Sequence, residues 1–397
     1  MDMDHSSTAL LSLFIVFAAA QIGAEIAQRL KCPAVVGEIA AGCLIGPFAL
    51  NLIRITEPLT VLAEIGAILL LFSVGLETRL SDLRKIGKIA TLVGAAGVIL
   101  PFIVGGAWAL LSGYPTPKAA FIGAALVATS AGITARVLQE LGVLNEKESR
   151  VILGAAVIDD ILAMLLLGIV TSFQATGEIH PLKLTLVAVQ AIAFVAVISF
   201  LGTKIVKRSS DFLDAPINPL SPLTLALAGC LALAVASAYV GLAAIIGAFL
   251  AGMILAESKQ RHTLEKQMQP ILAFLVPFFF VVTGAKVDLQ QIASSSILIA
   301  VLVVTILAIL SKLIGCGLAA ASLGKRSALI IGVGMVPRGE VGIIVASLGL
   351  STAVFSNTMY TIIIVMSLLT SMVAPPLLKL LFSNRIARIE SHVGLRD

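Results

Sequence analysis

The sequence predicts an all-α polytopic membrane protein with about thirteen transmembrane helices, on three observations. Of its 397 residues 59% are hydrophobic and only 12% charged, and the mean hydropathy is +1.08. The apolar residues fall in continuous blocks near the ~20 residues that cross a bilayer as helix, without the alternation of a β-barrel. Glycine is abundant, at 33 residues, and small residues let membrane helices pack closely. A soluble protein of this size cannot bury so much apolar surface, so the bilayer acts as solvent.

Taken in order, the apolar blocks place spans at 8–28, 33–50, 57–77, 86–112, 118–142, 149–173, 181–206, 220–239, 242–256, 270–284, 295–323, 327–350 and 355–382. The pair 242–256 and 270–284 is short for a crossing. The leading segment MDMDHSST is acidic and lacks the basic start of a cleaved signal, so the first span is expected to be retained. The tail beyond about residue 383 is short, and no P-loop or dinucleotide fingerprint follows a strand pattern. An enzyme or an ATP-driven machine is therefore not expected, and neither is a nucleic-acid partner. The four cysteines and four histidines are scattered without metal-ligand spacing, so no cofactor is expected.

Basic residues test the count. With the N-terminus outside, 20 of the 27 Lys and Arg fall in inside loops and the tail, and only Arg54, Lys118, Lys183 and Lys286 fall outside. That imbalance is what the positive-inside rule requires of a chain with its N-terminus out and its C-terminus in. The remaining three, Arg136, Lys312 and Arg338, lie within spans.

The chain also repeats itself. Val36-Gly37-x-x-x-Ala41-Gly42 in span 2 matches Ile246-Gly247-x-x-x-Ala251-Gly252 in span 9, and Gly75 in span 3 matches Gly284 in span 10. An offset of seven spans is odd, so the two repeats must be inverted relative to each other. Inverted repeats with a substrate site at their interface are typical of secondary transporters.

The chemistry is expected at charges inside the membrane. Asp159 and Asp160 sit about ten residues into span 6, or roughly 15 Å deep at about 1.5 Å per residue. Intramembrane carboxylates are costly and mark ion or proton pathways. Neighbouring helical residues point about 100° apart, so the two acids serve different faces. Lys312 in span 11 is their natural counter-charge, either as a structural salt bridge or as a proton carrier. Spans 5 and 12 are interrupted at Ala128-Thr129-Ser130-Ala131-Gly132-Ile133-Thr134 and at Gly332-Val333-Gly334-Met335-Val336-Pro337-Arg338-Gly339-Glu340. Proline removes a donor and glycine permits unwound backbone, so two discontinuous helices crossing at mid-membrane are expected. Glu340 is expected to pair with Arg136 or Arg338, balancing charge at the crossing. Glu38 and Glu64 either line the cavity or serve packing.

These motifs together resemble the monovalent cation:proton antiporter superfamily, in its second branch of bacterial sodium or potassium antiporters and Kef-like membrane domains. The resemblance covers nearly the whole chain and rests on Pro33-x-Val35-Val36-Gly37-Glu38-x-x-Ala41-Gly42, Glu64-Ile65-Gly66, Phe72-x-x-Gly75-Leu76-Glu77, Ala128-Thr129-Ser130, Asp159-Asp160, Gly247 to Gly252 and Pro337-Arg338-Gly339-Glu340. It implies a sodium/proton antiporter fold in a bacterial inner membrane, working as a homodimer. The dimerisation domain would lie mainly in 8–77 and 220–284, and the ion-translocating core mainly in 86–173 and 295–382, with 181–206 as linking helix. Residue by residue, it gives Asp160 the alkali cation and the proton, helped by Thr129 and Ser130, and it gives Asp159 the salt bridge to Lys312. An aspartate pair with a lysine resembles the electrogenic sodium exchangers, whereas Kef-type potassium systems generally lack the pair and carry a nucleotide-binding domain.

The resulting expectation is exchange of cytosolic sodium for external protons. A potassium/proton antiporter and a sodium-coupled organic-anion symporter are the alternatives. A passive channel lacks a filter-like repeat, and an intramembrane aspartyl protease needs acids from two facing helices.

Overall fold

A computed structural model describes residues 5–30, 32–77, 80–127, 129–176, 189–190, 192–198, 200, 202, 204, 221–240, 242–286 and 295–393. Every described element is helical. In chain order the α-helices are α1 (His5–Arg29), α2 (Ala34–Ile45), α3 (Glu57–Glu77), α4 (Leu80–Leu111), α5 (Thr116–Ala125), α6 (Ala131–Glu140), α7 (Lys147–Thr176), α8 (Ser221–Tyr239), α9 (Ala244–Leu255), α10 (Arg261–Ala285), α11 (Ser295–Ala319), α12 (Lys325–Gly334), α13 (Glu340–Ser351) and α14 (Asn357–Val393), with a short 3-10 helix at Ala321–Leu323 between α11 and α12. Eight of these are long and apolar enough to cross a bilayer. The expected span at 181–206 lies mostly outside the described residues.

Spans 5 and 12 are each two short helices, α5–α6 and α12–α13. The expected start of the tenth span, at residue 270, is nine residues late, because α10 begins at Arg261. Its first turns are polar but rich in good helix formers, and Arg261 Nε pairs with Glu265 Oε1 one turn on at 2.6 Å.

Two groups of helices emerge from the packing. Helices α1, α2, α3, α8, α9 and α10 pack mainly on one another, while α4, α5, α6, α7, α11, α12, α13 and α14 form the second group. Equivalent helices make equivalent contacts: α1 on α2 repeats as α8 on α9, α2 on α10 as α9 on α3, and α4 on α7 as α11 on α14.

The repeated glycines explain how the first group packs. A Cβ on Gly42 would collide with the backbone oxygen of Val281, and one on Gly284 with that of Ile39. In the other repeat, a Cβ on Gly252 would strike the oxygen of Phe72, and one on Gly75 that of Phe249. Gly37 and Gly247 likewise abut Gly23 of α1 and Leu233 of α8. Glycine is required at these contacts because backbone meets backbone, the close approach that holds membrane helices together without a hydrophobic drive.

Candidate functional site

The two broken helices cross and are bonded to each other at the breaks. Pro337 has no N–H to extend α12 and lies in the break between Gly334 and Glu340, where its carbonyl accepts the Ser130 N–H at 2.8 Å. Thr134 Oγ1, one turn into α6, donates to the Gly334 carbonyl at the end of α12 at 2.8 Å. Ser130 Oγ accepts the Ile133 N–H at 3.5 Å and caps α6. A Cβ on Gly339 would collide with the Ser130 hydroxyl, so glycine there lets the two breaks meet. Helix α14 braces the second break: Arg338 N donates to Thr370 Oγ1 at 3.2 Å, and Ser371 Oγ donates to the Arg338 carbonyl at 2.5 Å.

Four helix ends thus converge in the interior. The α5 and α12 ends present carbonyls, and the starts of α6 and α13 present N–H groups, so partial charges of both signs lie within the membrane. The fully buried Arg338 guanidinium answers the negative ends. Its Nη2 donates to the Ala308 carbonyl of α11 at 3.0 Å, and its Nη1 to the Val127 carbonyl just past α5 at 3.4 Å.

Asp159 and Asp160 both lie on α7, buried at 0% and 3% exposure, and serve different neighbours. Asp159 Oδ1 is 2.5 Å from Nζ of Lys312, whose side chain is also fully buried. Asp159 Oδ2 accepts the Thr129 N–H at 3.2 Å. Both carboxylate oxygens of Asp159 are therefore engaged by protein donors. Asp160 instead lines a small cavity with Val157 and Leu153 of its own helix, Ala131 of α6, Leu71 of α3, and Ile245, Ile246 and Phe249 of α9. That cavity lies between the two helix groups. Thr129 Oγ1 is buried with no hydrogen-bond partner among the described residues.

The other expected site residues fall as follows. Arg136 Nε pairs with Glu140 Oε1 of its own helix at 2.8 Å, so its charge is balanced locally on α6. The Glu340 side chain and Ala128 lie outside the described residues, so the expected pairing of Glu340 is not among the described contacts. Glu64 is on the exposed face of α3, away from the cavity, and Glu38 is buried on α2 facing α6.

The profile of the family described as "Sodium/hydrogen exchanger, transmembrane" matches residues 12–384. The chain belongs to that family. Among curated proteins, it is 37% identical over 374 residues to the Na(+)/H(+)-K(+) antiporter GerN of Bacillus cereus, covering 94% of this chain and 95% of the relative. It is 34% identical to the high-affinity Na(+)/H(+) antiporter NhaS3 of Synechocystis, over 94% of this chain and 90% of that one. Among solved structures, the sodium proton antiporter MjNhaP1 from Methanocaldococcus jannaschii superposes with a TM-score of 0.67 over 94% of this chain and 96% of that one, at 18% identity. The inverted-repeat fold with crossed helices, and membership of the monovalent cation:proton antiporters, therefore hold as the sequence leads one to expect.

Sequence reasoning missed several residues around the site. Gly97 of α4 faces the ion pair, and a Cβ there would lie 3.0 Å from Lys312 Nζ and 3.2 Å from Asp159 Oδ1. One glycine among 33 carries no signal by itself. Thr370 and Ser371 were legible in principle, since Ser367, Thr370 and Ser371 are hydroxyls within one turn of an otherwise apolar span. Glu140, which takes up Arg136, reads in sequence only as the polar end of span 5.

Proposed function

We propose that the chain exchanges cytosolic sodium for external protons across a bacterial inner membrane, with sodium and proton competing for Asp160. The observation that carries this assignment is the different surroundings of the two aspartates. Asp159 has one oxygen on the Lys312 ammonium and the other on the Thr129 N–H. Asp160 borders the cavity between the helix groups. Carboxylate, hydroxyl and carbonyl oxygens are hard ligands that suit an alkali cation, and the unpartnered Thr129 Oγ1 adds one near the crossing.

The exchange rule needs little machinery. A core whose carboxylate is neutralised, by a proton or by sodium, crosses more readily than one bearing a bare charge. In this reading α4–α7 and α11–α14 move as the core against a scaffold of α1–α3 and α8–α10, which also forms the homodimer contact. Ser130, Pro337 and Arg338 keep the crossed breaks rigid, and Glu340 and Arg136 balance charge around them. Lys312 holds Asp159 and, by releasing its own proton to the cytosol when sodium loads the site and regaining one from outside when sodium leaves, adds a second proton per sodium and makes the cycle electrogenic. The N-terminus lies outside and the C-terminus in the cytoplasm, as the distribution of basic residues suggests.

The test is Asp160→Asn in proteoliposomes. Sodium-dependent proton flux is expected to vanish while the protein purifies as the native protein does. Retained flux would overturn the assignment of Asp160.

A further inference from the structure

Glu38 is a buried carboxylate that this exchange cycle leaves unused. It lies on α2 at 2% exposure, and its Oε2 has no hydrogen-bond partner among the described residues. It faces the seam where the scaffold group meets α6. One turn before it, the Ala34 N–H donates to Glu140 Oε2 at 3.0 Å. Glu140 Oε1 accepts Arg136 Nε at 2.8 Å. The same stretch of α6 is tied to α3, where Gln139 Nε2 donates to Glu77 Oε1 at 2.9 Å and to Ser73 Oγ at 3.3 Å. Arg261 of α10 closes the row by donating to the Glu77 carbonyl at 3.3 Å.

Charge counting separates the two glutamates. The charged groups acting on Glu38 are Arg136 and Glu140, both from α6. Glu140 has donors on both oxygens and is the natural anion of the cluster, with Arg136 as its cation. A second anion at Glu38 would leave one uncompensated buried negative charge beside Glu140, which is costly for a group only 2% exposed. The charges on the other helices packed on α2 are not among those acting on Glu38. On α1, Glu25 and Arg29 pair with each other at an exposed position. On α10, Glu265 pairs with Arg261 and His262, and Lys266 follows it on the same turn. Helix α14 carries Lys379, Arg385, Arg388, Glu390 and His392.

We propose that Glu38 is a second proton-binding site, whose proton holds α6 closed against α2 on the cytoplasmic side of Asp160. When the proton leaves to cytosolic water, the Glu38 carboxylate repels Glu140, the Ala34–Glu140 bond loosens, and the seam opens a route for sodium. This rests on the exchange reading and orientation above, but it acts on a different quantity. Competition at Asp160 sets the apparent sodium KM, whereas Glu38 sets the maximal rate at saturating sodium as cytosolic pH changes.

The experiment has two arms. In proteoliposomes at saturating sodium, native protein is expected to show a maximal rate that rises with cytosolic-side pH. Glu38→Gln should lose that rise and stay at the native acid-side rate, Glu38→Asp should restore it, and His262→Gln should leave it unchanged. In the second arm, infrared difference spectra of the Asp160→Asn protein should contain the carbonyl band of a protonated carboxylic acid that Glu38→Gln removes. If Glu38→Gln does not fold, Glu38→Asp must displace the same band. Retention of the pH-dependent rise in Glu38→Gln, a rise that follows His262 instead, or a band unchanged by substitution at Glu38 would each overturn the proposal. Because the infrared arm needs no transport, it stands even if Asp160 proves not to be the exchange site.

Discussion

At the residue scale, the informative feature is that two adjacent carboxylates on one helix have different surroundings. The 100° between neighbouring helical side chains predicts that they must diverge. Which one turns toward Lys312 is not contained in that angle. It depends on where α11 packs, and the structure gives it as Asp159. Lys312→Gln removes the only cation ion-paired with Asp159 among the described residues. Breaking one partner of a buried pair commonly costs about 3–5 kcal/mol, so a lower melting temperature in detergent is expected. The exchange current should also fall or vanish at fixed sodium flux, and an unchanged current would remove Lys312 from the proton path. Thr129→Val tests the neighbouring hydroxyl. It removes an unpartnered buried oxygen, so the fold should survive while the apparent sodium KM rises; an unchanged KM would exclude that hydroxyl as a ligand.

At the element scale, two kinds of helix contact do different work. Around the crossing, polar bonds link broken helices: Ser130 N to Pro337 O and Thr134 Oγ1 to Gly334 O. In the other group, glycine lets intact helices touch backbone to backbone. Gly252→Val puts branched carbon against the Phe72 carbonyl, and overpacking of this kind costs typically about 1–3 kcal/mol. The loss should appear in thermal denaturation of the purified protein, with a similar loss for Gly42→Val at the repeat-related contact with Val281. Equal stability of either variant and the native protein would contradict the packing account. These glycines were legible because they recur at almost the same offset in both halves. The Pro337 break was legible because proline in a helix interior has few alternatives. Gly97, by contrast, matters only through the ion pair that α4 happens to face, and local sequence does not encode that neighbour. The start of α10 was misread for the reverse reason: its first turns are helical but polar, and an apolar-run criterion cannot see them.

At the scale of the whole molecule, Asp160 sits where the two helix groups meet, so a shift of one group against the other changes the access of a site it need not rebuild. The odd repeat offset made the inverted repeat readable from sequence. The seam along α6 was not, because Glu38, Gln139, Glu140 and Glu77 are far apart in the chain and meet only after the groups pack. The central claim is that sodium and proton compete for one carboxylate. Its most direct test is the apparent sodium KM of proteoliposome exchange, measured as pH is raised with the membrane potential clamped. Fewer protons then compete, so the account predicts a KM that falls steadily with rising pH. A KM that stays constant or rises would contradict a shared site.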